Sequence, residues 1–341
     1  MANSLEKFLE ILSAGRDLSE SEAVEFFTTL QTETENESLI AAALLALEAK
    51  GSTGDELYAM AKLMRSRAVK VNSNHETFVD IVGTGGSSAK IFNVSTAAAF
   101  VIAGADLPVA KHGNRAATSN CGSADVLSSL GVNPAVDGRA AEKCLNEIGI
   151  CFMFAPNFHA LSPILGKVRR KLGVPTIFNN LGPLCNPANA PHQIIGVWNR
   201  DLVEKTARVL AKLGTTKSWI VHGSDGLDEI TLNGNTSVAE ISGDKVEIFE
   251  ISPADFGLER AAFSFSKCSP TDSAKIISDI LHGDPVNENA RNIVLINAAA
   301  AIYIAGKAND LRDAFSTAKE SLESGEALAK LESLKEKTKE I

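Results

Sequence analysis

The chain has 341 residues, with 42 acidic and 33 basic side chains, so its formal net charge is −9 at neutral pH. Hydrophobic residues make up 45 % and charged residues 22 %, which excludes a disordered or low-complexity chain because there is enough apolar material for a core. The acidic balance argues against nucleic acid as a partner, since a phosphate backbone is bound by clustered basic side chains. At roughly 150 residues per domain, the length predicts one large domain or two unequal ones.

The cysteines and the apolar stretches bear on the compartment. The five cysteines are odd in number and lack C-x-x-C spacing, which argues against a disulfide framework or a zinc site and predicts reduced thiols in a cytoplasmic protein. The N-terminal segment lacks the basic and apolar regions of a signal peptide. The longest apolar stretch, 293–306, is shorter than the ~20 residues of a membrane span, so no membrane partner is expected.

The first 70 residues carry helix signals and no strand signals. Apolar residues recur from Leu5 to Leu12 at i, i+3, i+4 and i+7, which is the spacing of one helix face. Capping boxes at 19–22 and 53–56 predict the starts of two further helices, and another helix is predicted for about 38–49. This part of the chain is therefore predicted to form a small helical module.

From about residue 72 the chain alternates between strand and helix signals. This alternation predicts a mostly parallel sheet with helices on both faces. A hairpin is predicted over 236–251, and helices from about residue 290 to a charged, solvated end at 332–341. The predicted strands are 78–82, 107–110, 150–154, 193–197 and 218–221, and the predicted helices between them are 95–104, 140–148 and 202–213.

Two loops follow predicted strands and have unusual compositions. The first, from Gly83 through Ser88 to Thr96, combines clustered glycines with a helix start, which favours a phosphate or diphosphate. The alternative is a tight turn without a ligand, and the spacing fits neither the dinucleotide-binding glycine motif nor a P-loop. The second, Lys111 to Asn114 and onward through Arg115 and Ser123, carries cations and donors suited to an anionic, hydroxyl-rich ligand. The alternative there is a solvated polar loop.

Two further groups of residues could bind ligands. Arg169, on a helix predicted from about residue 161, could hold a carboxylate through a bidentate pair, although a solvated basic helix end explains the same residues. The adjacent acids Asp228 and Glu229 follow a strand and are natural Mg²⁺ ligands in a phosphate site, with turn and cap residues as the alternative. The segment 179–187 is rich in turn formers and is predicted to be an ordered turn region.

Nine short motifs, in order and spread over most of the chain, together resemble the anthranilate phosphoribosyltransferases. The resemblance implies that the chain transfers phosphoribose from phosphoribosyl diphosphate (PRPP) to the amine of anthranilate in tryptophan biosynthesis. The motifs are Asp80 to Gly86, Asn93 to Thr96, Lys111 to Arg115, Gly122 to Leu127, Ala155 to His159, Val168 to Arg170, Thr176 to Pro187, Asp225 to Glu229 and Asn297 to Ala301.

The resemblance also implies a set of site residues, with no side chain assigned as acid or base and two Mg²⁺ ions per active site. It implies metal ligands at Ser95, Asp228 and Glu229, and an anthranilate site at Gly83, Asn114, His159 and Arg169, with Arg169 pairing with the carboxylate. It implies PRPP contacts at Gly83, Gly86, Ser87, Ile91, Asn93, Val94, Ser95, Thr96, Lys111, His112, Gly113, Asn114, Arg115, Ala116, Ala117, Thr118, Ser119 and Ser123.

The family fold implies an α/β protein in which a small all-helical domain, 1–71 with a returning segment at about 156–183, is hinged to a large phosphoribosyl-binding domain at 72–341. It also implies a homodimer packed through the helical part. Two positions depart from the family pattern, since Ser87 stands where an Asp is usual and Ile91 where a Thr is usual. These departures leave open a related protein with another acceptor, or one that binds nucleic acid without catalysis; a nucleoside phosphorylase using inorganic phosphate is a further alternative.

Overall fold

The computed structural model describes residues 4–33, 35–85, 92–115, 121–262, 268–284 and 287–340. The strands in these ranges are β1 (Val79–Gly83), β2 (Val109–Gly113), β3 (Ile150–Phe154), β4 (His192–Gly196), β5 (Lys217–Gly223), β6 (Thr236–Ser242) and β7 (Lys245–Ile251). The α-helices are α1 (Ser4–Ser13), α2 (Glu20–Thr32), α3 (Glu37–Lys50), α4 (Gly54–Arg67), α5 (Val94–Gly104), α6 (Ser123–Ser129), α7 (Gly138–Ile148), α8 (Ala155–Phe158), α9 (Pro163–Leu172), α10 (Ile177–Leu184), α11 (Leu202–Leu213), α12 (Pro270–Leu281), α13 (Glu288–Ile304), α14 (Leu311–Glu323) and α15 (Glu326–Lys339). Within the described ranges, no helix has the length and apolar character needed to cross a membrane.

Side-chain caps explain where two of the first helices begin. The Ser19 hydroxyl accepts a hydrogen bond from the Glu22 amide, and the Glu22 carboxylate accepts one from the Ser19 amide at 2.9 Å. Thr53 and Glu56 repeat this reciprocal arrangement at the start of α4. Each box satisfies amides that the first helical turn leaves unpaired. Both predicted capping boxes are confirmed.

The seven strands form one sheet in the order β3-β2-β1-β4-β5-β6-β7. The first five strands in that order are parallel, and β6 and β7 extend the sheet as an antiparallel hairpin. The chain runs from β1 to β2 on one side and from β4 to β5 on the other, so the strand order reverses between β1 and β4. Ligands of such sheets bind beyond the carboxyl ends of the strands at this reversal point. The predicted α/β fold with a mostly parallel sheet is confirmed.

The two faces of the sheet belong to two different apolar cores. Adjacent residues of β4 show the division, because Ile194 packs into one core and Ile195 into the other. The first core joins β1, β2 and β3 to α5, α7 and the helices of the C-terminal part. The second joins the helices α1–α4 to α9, α10 and α11, with α11 lying against both α4 and the sheet. The N-terminal helices therefore share one continuous core with the segment that bears Arg169.

Several sequence predictions differ from the structure. Lys111 to Gly113 belong to β2 and not to a loop, because all five residues of β2 pair with β3 although their side chains are polar at the carboxyl end. The segment 179–187 is largely helix α10, in which Asn179 caps the Thr176 amide at 3.1 Å. Helix α12 was not predicted. The C-terminal segment is only partly solvated, since Leu334 is buried whereas Glu332 and Glu336 are exposed.

A buried carboxylate joins three of the N-terminal helices. Glu56 is completely buried, and its Oε1 accepts a hydrogen bond from the Leu18 amide at 2.7 Å. Its Oε2 accepts from the Thr53 amide at 2.7 Å and from Lys50 Nζ at 3.0 Å. Lys50 Nζ also lies 2.6 Å from the Asp17 carboxylate. The Glu56 carboxylate thus ties together the beginnings of α2 and α4 and the end of α3.

Glu56→Gln is expected to lower the free energy of unfolding by about 3 kcal/mol, because removing one partner of a buried ion pair leaves the other poorly compensated. Urea denaturation of the wild type and the variant measures the difference. The matched control is Glu20→Gln, whose exposed carboxylate lies 3.9 Å from Lys62 and should contribute less than roughly 1 kcal/mol. Equal losses in the two variants would contradict the role given to Glu56.

Candidate active site

The carboxyl ends of β1 and β4 enclose Asp228 at the reversal point of the sheet. Gly83 and Gly196 are register partners at the last position of these two strands. The Gly85 amide donates a hydrogen bond to Asp228 Oδ2 at 2.9 Å. A methyl group on Gly83 would stand 2.6 Å from Asp228 Oδ2, and one on Gly196 would overlap the Asp228 backbone carbonyl. Glycine at both positions therefore leaves the room in which Asp228 sits.

The neighbouring carboxylates of Asp228 and Glu229 are well placed to hold a cation. Burial raises the pKa of Asp228 above its ordinary value. Burial, followed by the nearby Asp228 charge, raises the pKa of Glu229 to about 8, against the opposing effect of Lys111. A nearby cation would stabilise the ionised forms of these two acids. Mg²⁺ commonly binds one or two carboxylates together with substrate oxygens. The donor set at this place fits Mg²⁺.

Lys111 and the start of α5 lie beside these acids. Asn93 caps α5 by accepting hydrogen bonds from the Thr96 amide at 3.2 Å and from the Thr96 hydroxyl at 2.6 Å. Lys111 Nζ donates to Ser95 Oγ at 3.2 Å. Burial lowers the pKa of Lys111 to about 8, although Asp80 and then Glu229 oppose the shift. Cation, hydroxyl and helix N-terminus together form a region that favours an anion.

Two histidines form the next part of the site. His112 follows Lys111 on β2, and its Nε2 lies 3.2 Å from Nε2 of His159. Both side chains are buried. Burial lowers the pKa of His159 to about 4, and burial followed by the His159 charge lowers the pKa of His112 well below its ordinary value. The pair is therefore neutral at physiological pH, so one ring can donate to the other.

His159→Asn is expected to reduce the acid sensitivity of the protein between about pH 6.5 and about pH 4. The pKa of His159 is about 4 in the folded chain and ordinarily 6.5, so in this interval the unfolded chain binds a proton that the folded chain does not. Stability is therefore lost as the pH falls, by up to about 3 kcal/mol for this group. Urea unfolding at both ends of the interval measures the effect, with the exposed His282→Asn as control. Equal acid losses in wild type and His159→Asn would contradict the assignment.

Arg169 is a largely buried cation. Its guanidinium lies 4.8 Å from the centre of the Phe178 ring, and no described carboxylate lies within ion-pair distance of it. Burial lowers the pKa of Arg169 to about 10. Its neighbours Lys167 and Lys171 on α9 instead pair with Glu37. The interpretation of this segment as a solvated basic helix end therefore applies to the lysines and fails for Arg169.

Helix α10 contacts the glycine loop after β1, the histidine pair and Arg169. Phe178 lies under the Arg169 guanidinium, and Asn179 Nδ2 donates to the Thr84 carbonyl at 3.2 Å. The backbone of Gly182 lies close enough to the His112 ring to raise its pKa in part. The glycine loop after β1, the histidine pair and Arg169 are thus arranged around one short helix.

Other predicted residues lie apart from this cluster or outside the described ranges. Arg115 is exposed and forms an ion pair with Asp125 at 2.8 Å, while the Asn114 carbonyl accepts a hydrogen bond from the Ser123 hydroxyl at 3.4 Å. Val94 is buried in the first turn of α5, and a methyl on Gly113 would meet the Ser123 hydroxyl and the Phe152 ring. Gly86, Ser87, Ile91, Ala116, Ala117, Thr118 and Ser119 lie outside the described residues.

Four residues that shape the site were not predicted as part of it. Gly196 ends β4 opposite Gly83, and Phe178 lies under Arg169. Asp80 and Asn186 bond to each other behind Lys111, 2.7 Å apart. A glycine at the end of a buried strand was a signal for Gly196. Nothing in local spacing links Asp80 to Asn186, which are 106 positions apart.

Known proteins match this chain over nearly its whole length. Residues 6–68 match the model of the helical bundle domain of a glycosyl transferase family, and residues 75–328 match the a/b domain of that family. An anthranilate phosphoribosyltransferase of Moorella thermoacetica is 44% identical over 322 residues, which is 94% of each chain. One of a Roseiflexus species is 45% identical, again over 94% of each chain.

Solved structures agree with these relatives. The anthranilate phosphoribosyltransferase of Thermus thermophilus superposes with a TM-score of 0.87 at 35% identity, covering 99% of both chains. That of Saccharomyces cerevisiae, in complex with PRPP and Mg, gives a TM-score of 0.88 at 27% identity, covering 100% of this chain and 99% of the other. The chain described above belongs to the anthranilate phosphoribosyltransferase family of glycosyl transferases.

Proposed function

We propose that this chain transfers the phosphoribosyl group of PRPP to the amine of anthranilate and releases diphosphate, as a step of tryptophan biosynthesis. One observation carries the proposal. A cationic and acidic cluster of Lys111, Asp228 and Glu229 lies at the reversal point of the sheet. Arg169, a largely buried cation without an acidic partner among the described residues, lies over Phe178 of α10, next to the Asn179 side chain that bonds to Thr84 in the glycine loop. The cluster of Lys111, Asp228 and Glu229 suits a diphosphate with its metal, and Arg169 suits a planar carboxylate.

At the diphosphate end, Ser95, Asp228 and Glu229 are proposed to hold Mg²⁺, with two ions per site. The complex of the yeast relative with PRPP and Mg supports this metal and this substrate. Bound Mg²⁺ would supply positive charge to the leaving diphosphate. Lys111 Nζ and the amides at the start of α5 would stabilise the same negative charge as it grows. Gly83, Asn93 and Thr96, with the remaining residues of the glycine and Lys111 motifs, are proposed to bind PRPP.

At the acceptor end, Arg169 is proposed to bind the anthranilate carboxylate, with the ring of Phe178 behind it. Gly83, Asn114 and His159 are proposed as further contacts of anthranilate. An aromatic amine is neutral at physiological pH, so the acceptor needs no strong base. The work of these residues is to orient the amine toward C1 of the ribose, for which proximity can contribute about 7–11 kcal/mol. No residue of the chain is assigned as general acid or base.

The domain division and the assembly are part of the same proposal. We assign residues 1–71, with the segment 156–183, to a helical domain and 72–341 to the phosphoribosyl-binding domain. The chain is proposed to form a homodimer through its helical part. Leu45 on α3 supports this, because its side chain is 41% exposed on a helix whose opposite face lies in the core. Sedimentation equilibrium would show a dimer for the wild type and a weakened one for Leu45→Glu.

The acceptor is tested by incubating the protein with PRPP, Mg²⁺ and either anthranilate or aniline, which lacks the carboxylate. Diphosphate release and the product mass are measured together. The proposal predicts a product with the mass of anthranilate in which a phosphoribosyl group replaces one amine hydrogen. It also predicts a rate with aniline at least about 100-fold lower, because a charge-assisted pair with Arg169 is lost. Equal rates with both amines, or no product with anthranilate, would reject it.

A further inference from the structure

Strands β1 and β2 separate earlier than their neighbours in the sheet. They are in register only at Val79 and Val109, whereas β1 with β4 and β2 with β3 each run in register for five positions. The Val79 amide donates to the Pro108 carbonyl at 2.9 Å. A continued parallel ladder would pair the Ile81 amide with the Ala110 carbonyl and the His112 amide with the Ile81 carbonyl. The His112 amide and the Ile81 carbonyl bond to side chains instead.

Side chains take the place of the missing ladder. Asn186 Nδ2 donates to the Ala110 carbonyl at 2.8 Å. The His112 amide donates to Asp80 Oδ1 at 3.1 Å, and Lys111 Nζ donates to the Ile81 carbonyl at 2.5 Å. Side chains therefore satisfy the Ala110 and Ile81 carbonyls and the His112 amide, as burial requires.

The two side chains in the gap are fixed by each other. Asn186 Nδ2 also donates a hydrogen bond to Asp80 Oδ2 at 2.7 Å, and Asn186 Oδ1 accepts one from the Ala188 amide at 2.8 Å. Asp80 is 0% and Asn186 1% exposed, so solvent cannot substitute for either partner. We call this pair, Asp80 with Asn186, the strand brace.

The separation of the strands gives Lys111 its route into the site. With a closed ladder the Ile81 carbonyl would accept from the His112 amide, and Lys111 Nζ would have to share that oxygen with it. In the observed arrangement the ammonium bonds to Ile81 and to Ser95 Oγ at 3.2 Å. Asp80 also places a negative charge close to Lys111, as each shifts the pKa of the other.

We propose that Asp80 and Asn186 are positioning residues for the transfer reaction, which hold β1 and β2 apart so that Lys111 reaches Ser95 and the diphosphate. The part of this inference that concerns the reaction rests on the proposed function. The part that concerns the placement of Lys111 rests on the geometry alone. The brace touches neither Arg169 nor Phe178, so its loss should act mainly on the diphosphate end and leave the carboxylate contact at Arg169 in place.

The test compares Asp80→Asn and Asn186→Ala with Ser218→Ala. Asp80→Asn keeps the shape of the side chain but places an NH₂ group, which is a donor, opposite the Asn186 NH₂ group. Asn186→Ala removes the donor that bonds to the Ala110 carbonyl. Ser218 is an equally buried polar residue on β5, two strands away from Asp80 in the same row of the sheet, and its hydroxyl accepts from the Gln193 amide. Hydrogen exchange of the His112 amide, kcat and both KM values are measured for each, beside thermal unfolding.

In both brace variants the exchange of the His112 amide should rise at least about tenfold and kcat should fall at least about 30-fold, while KM for anthranilate stays within about threefold. Ser218→Ala should lower the Tm without either change. Unchanged exchange at His112 would overturn the brace. Faster exchange with normal kcat would overturn the positioning role and leave a structural one. If the wild type shows no transfer, the proposed function fails by itself, and the exchange result still decides the brace.

Discussion

Gly196→Ala is expected to lower kcat about 100-fold or more while the protein remains folded. The added methyl would overlap the backbone carbonyl of Asp228, and that carbonyl belongs to the segment that carries both proposed metal ligands. Strand β4 is held by parallel neighbours on both sides, so the segment at 228–229 must move and not the strand. Displacement of reacting groups by about 1 Å can cost a factor of 10².

Kinetics at several Mg²⁺ concentrations would show this effect as a raised metal requirement together with a lower kcat. Gly54→Ala is the matched control, because its methyl would meet only a Val209 methyl at the ordinary distance of 3.9 Å. Gly83→Ala should behave like Gly196→Ala, since its methyl would stand 2.6 Å from Asp228 Oδ2. Full activity of Gly196→Ala at low Mg²⁺ would show that Asp228 and Glu229 do not depend on this contact.

Arg169→Ala is expected to raise KM for anthranilate about 100-fold and to leave KM for PRPP within about threefold, because a lost charge-assisted pair is worth about 2–5 kcal/mol. Arg169→Lys should recover little, since an ammonium cannot offer two parallel donors or stack flat on Phe178. The fluorescence of anthranilate allows its binding to be titrated directly.

The neighbour on the same helix is the control for this variant. Arg170 is exposed, so Arg170→Ala changes the charge of α9 without changing the group that lies over Phe178. The Arg170→Ala variant should therefore bind anthranilate as tightly as the wild type does. Equal increases in the two KM values of Arg169→Ala, or equal effects of the two alanine variants, would show that Arg169 does not hold the carboxylate.

Local patterns predicted much of the framework. The capping boxes at 19–22 and 53–56, the strand over 150–154 and the hairpin over 236–251 depend on residues close together in the chain, and each is confirmed. Lys111 to Gly113 failed as a loop prediction because pairing with β3 overrides the polar composition of the segment. Helix α10 was missed for a similar reason, since Asn179, Gly182 and Pro183 suggest turns but Asn179 acts as part of a cap.

The site divides in the same way. The paired acids, the glycines after β1 and the cations at 111–115 could be proposed as candidate ligand-binding residues from their own short segments. The environment of Arg169 could not, because Phe178 and the absence of a nearby described carboxylate follow from how α9 packs on α10. Gly196 and Asn186 were not predicted for the same reason, since each acts on a residue far away in the chain.

The most direct test of the account follows the fluorescence of anthranilate in the presence of purified, folded protein, PRPP and Mg²⁺. The account predicts that the anthranilate signal falls with time and that the fall requires both PRPP and Mg²⁺. It also predicts that the amount of diphosphate released equals the amount of anthranilate consumed. A constant signal with all components present would contradict it.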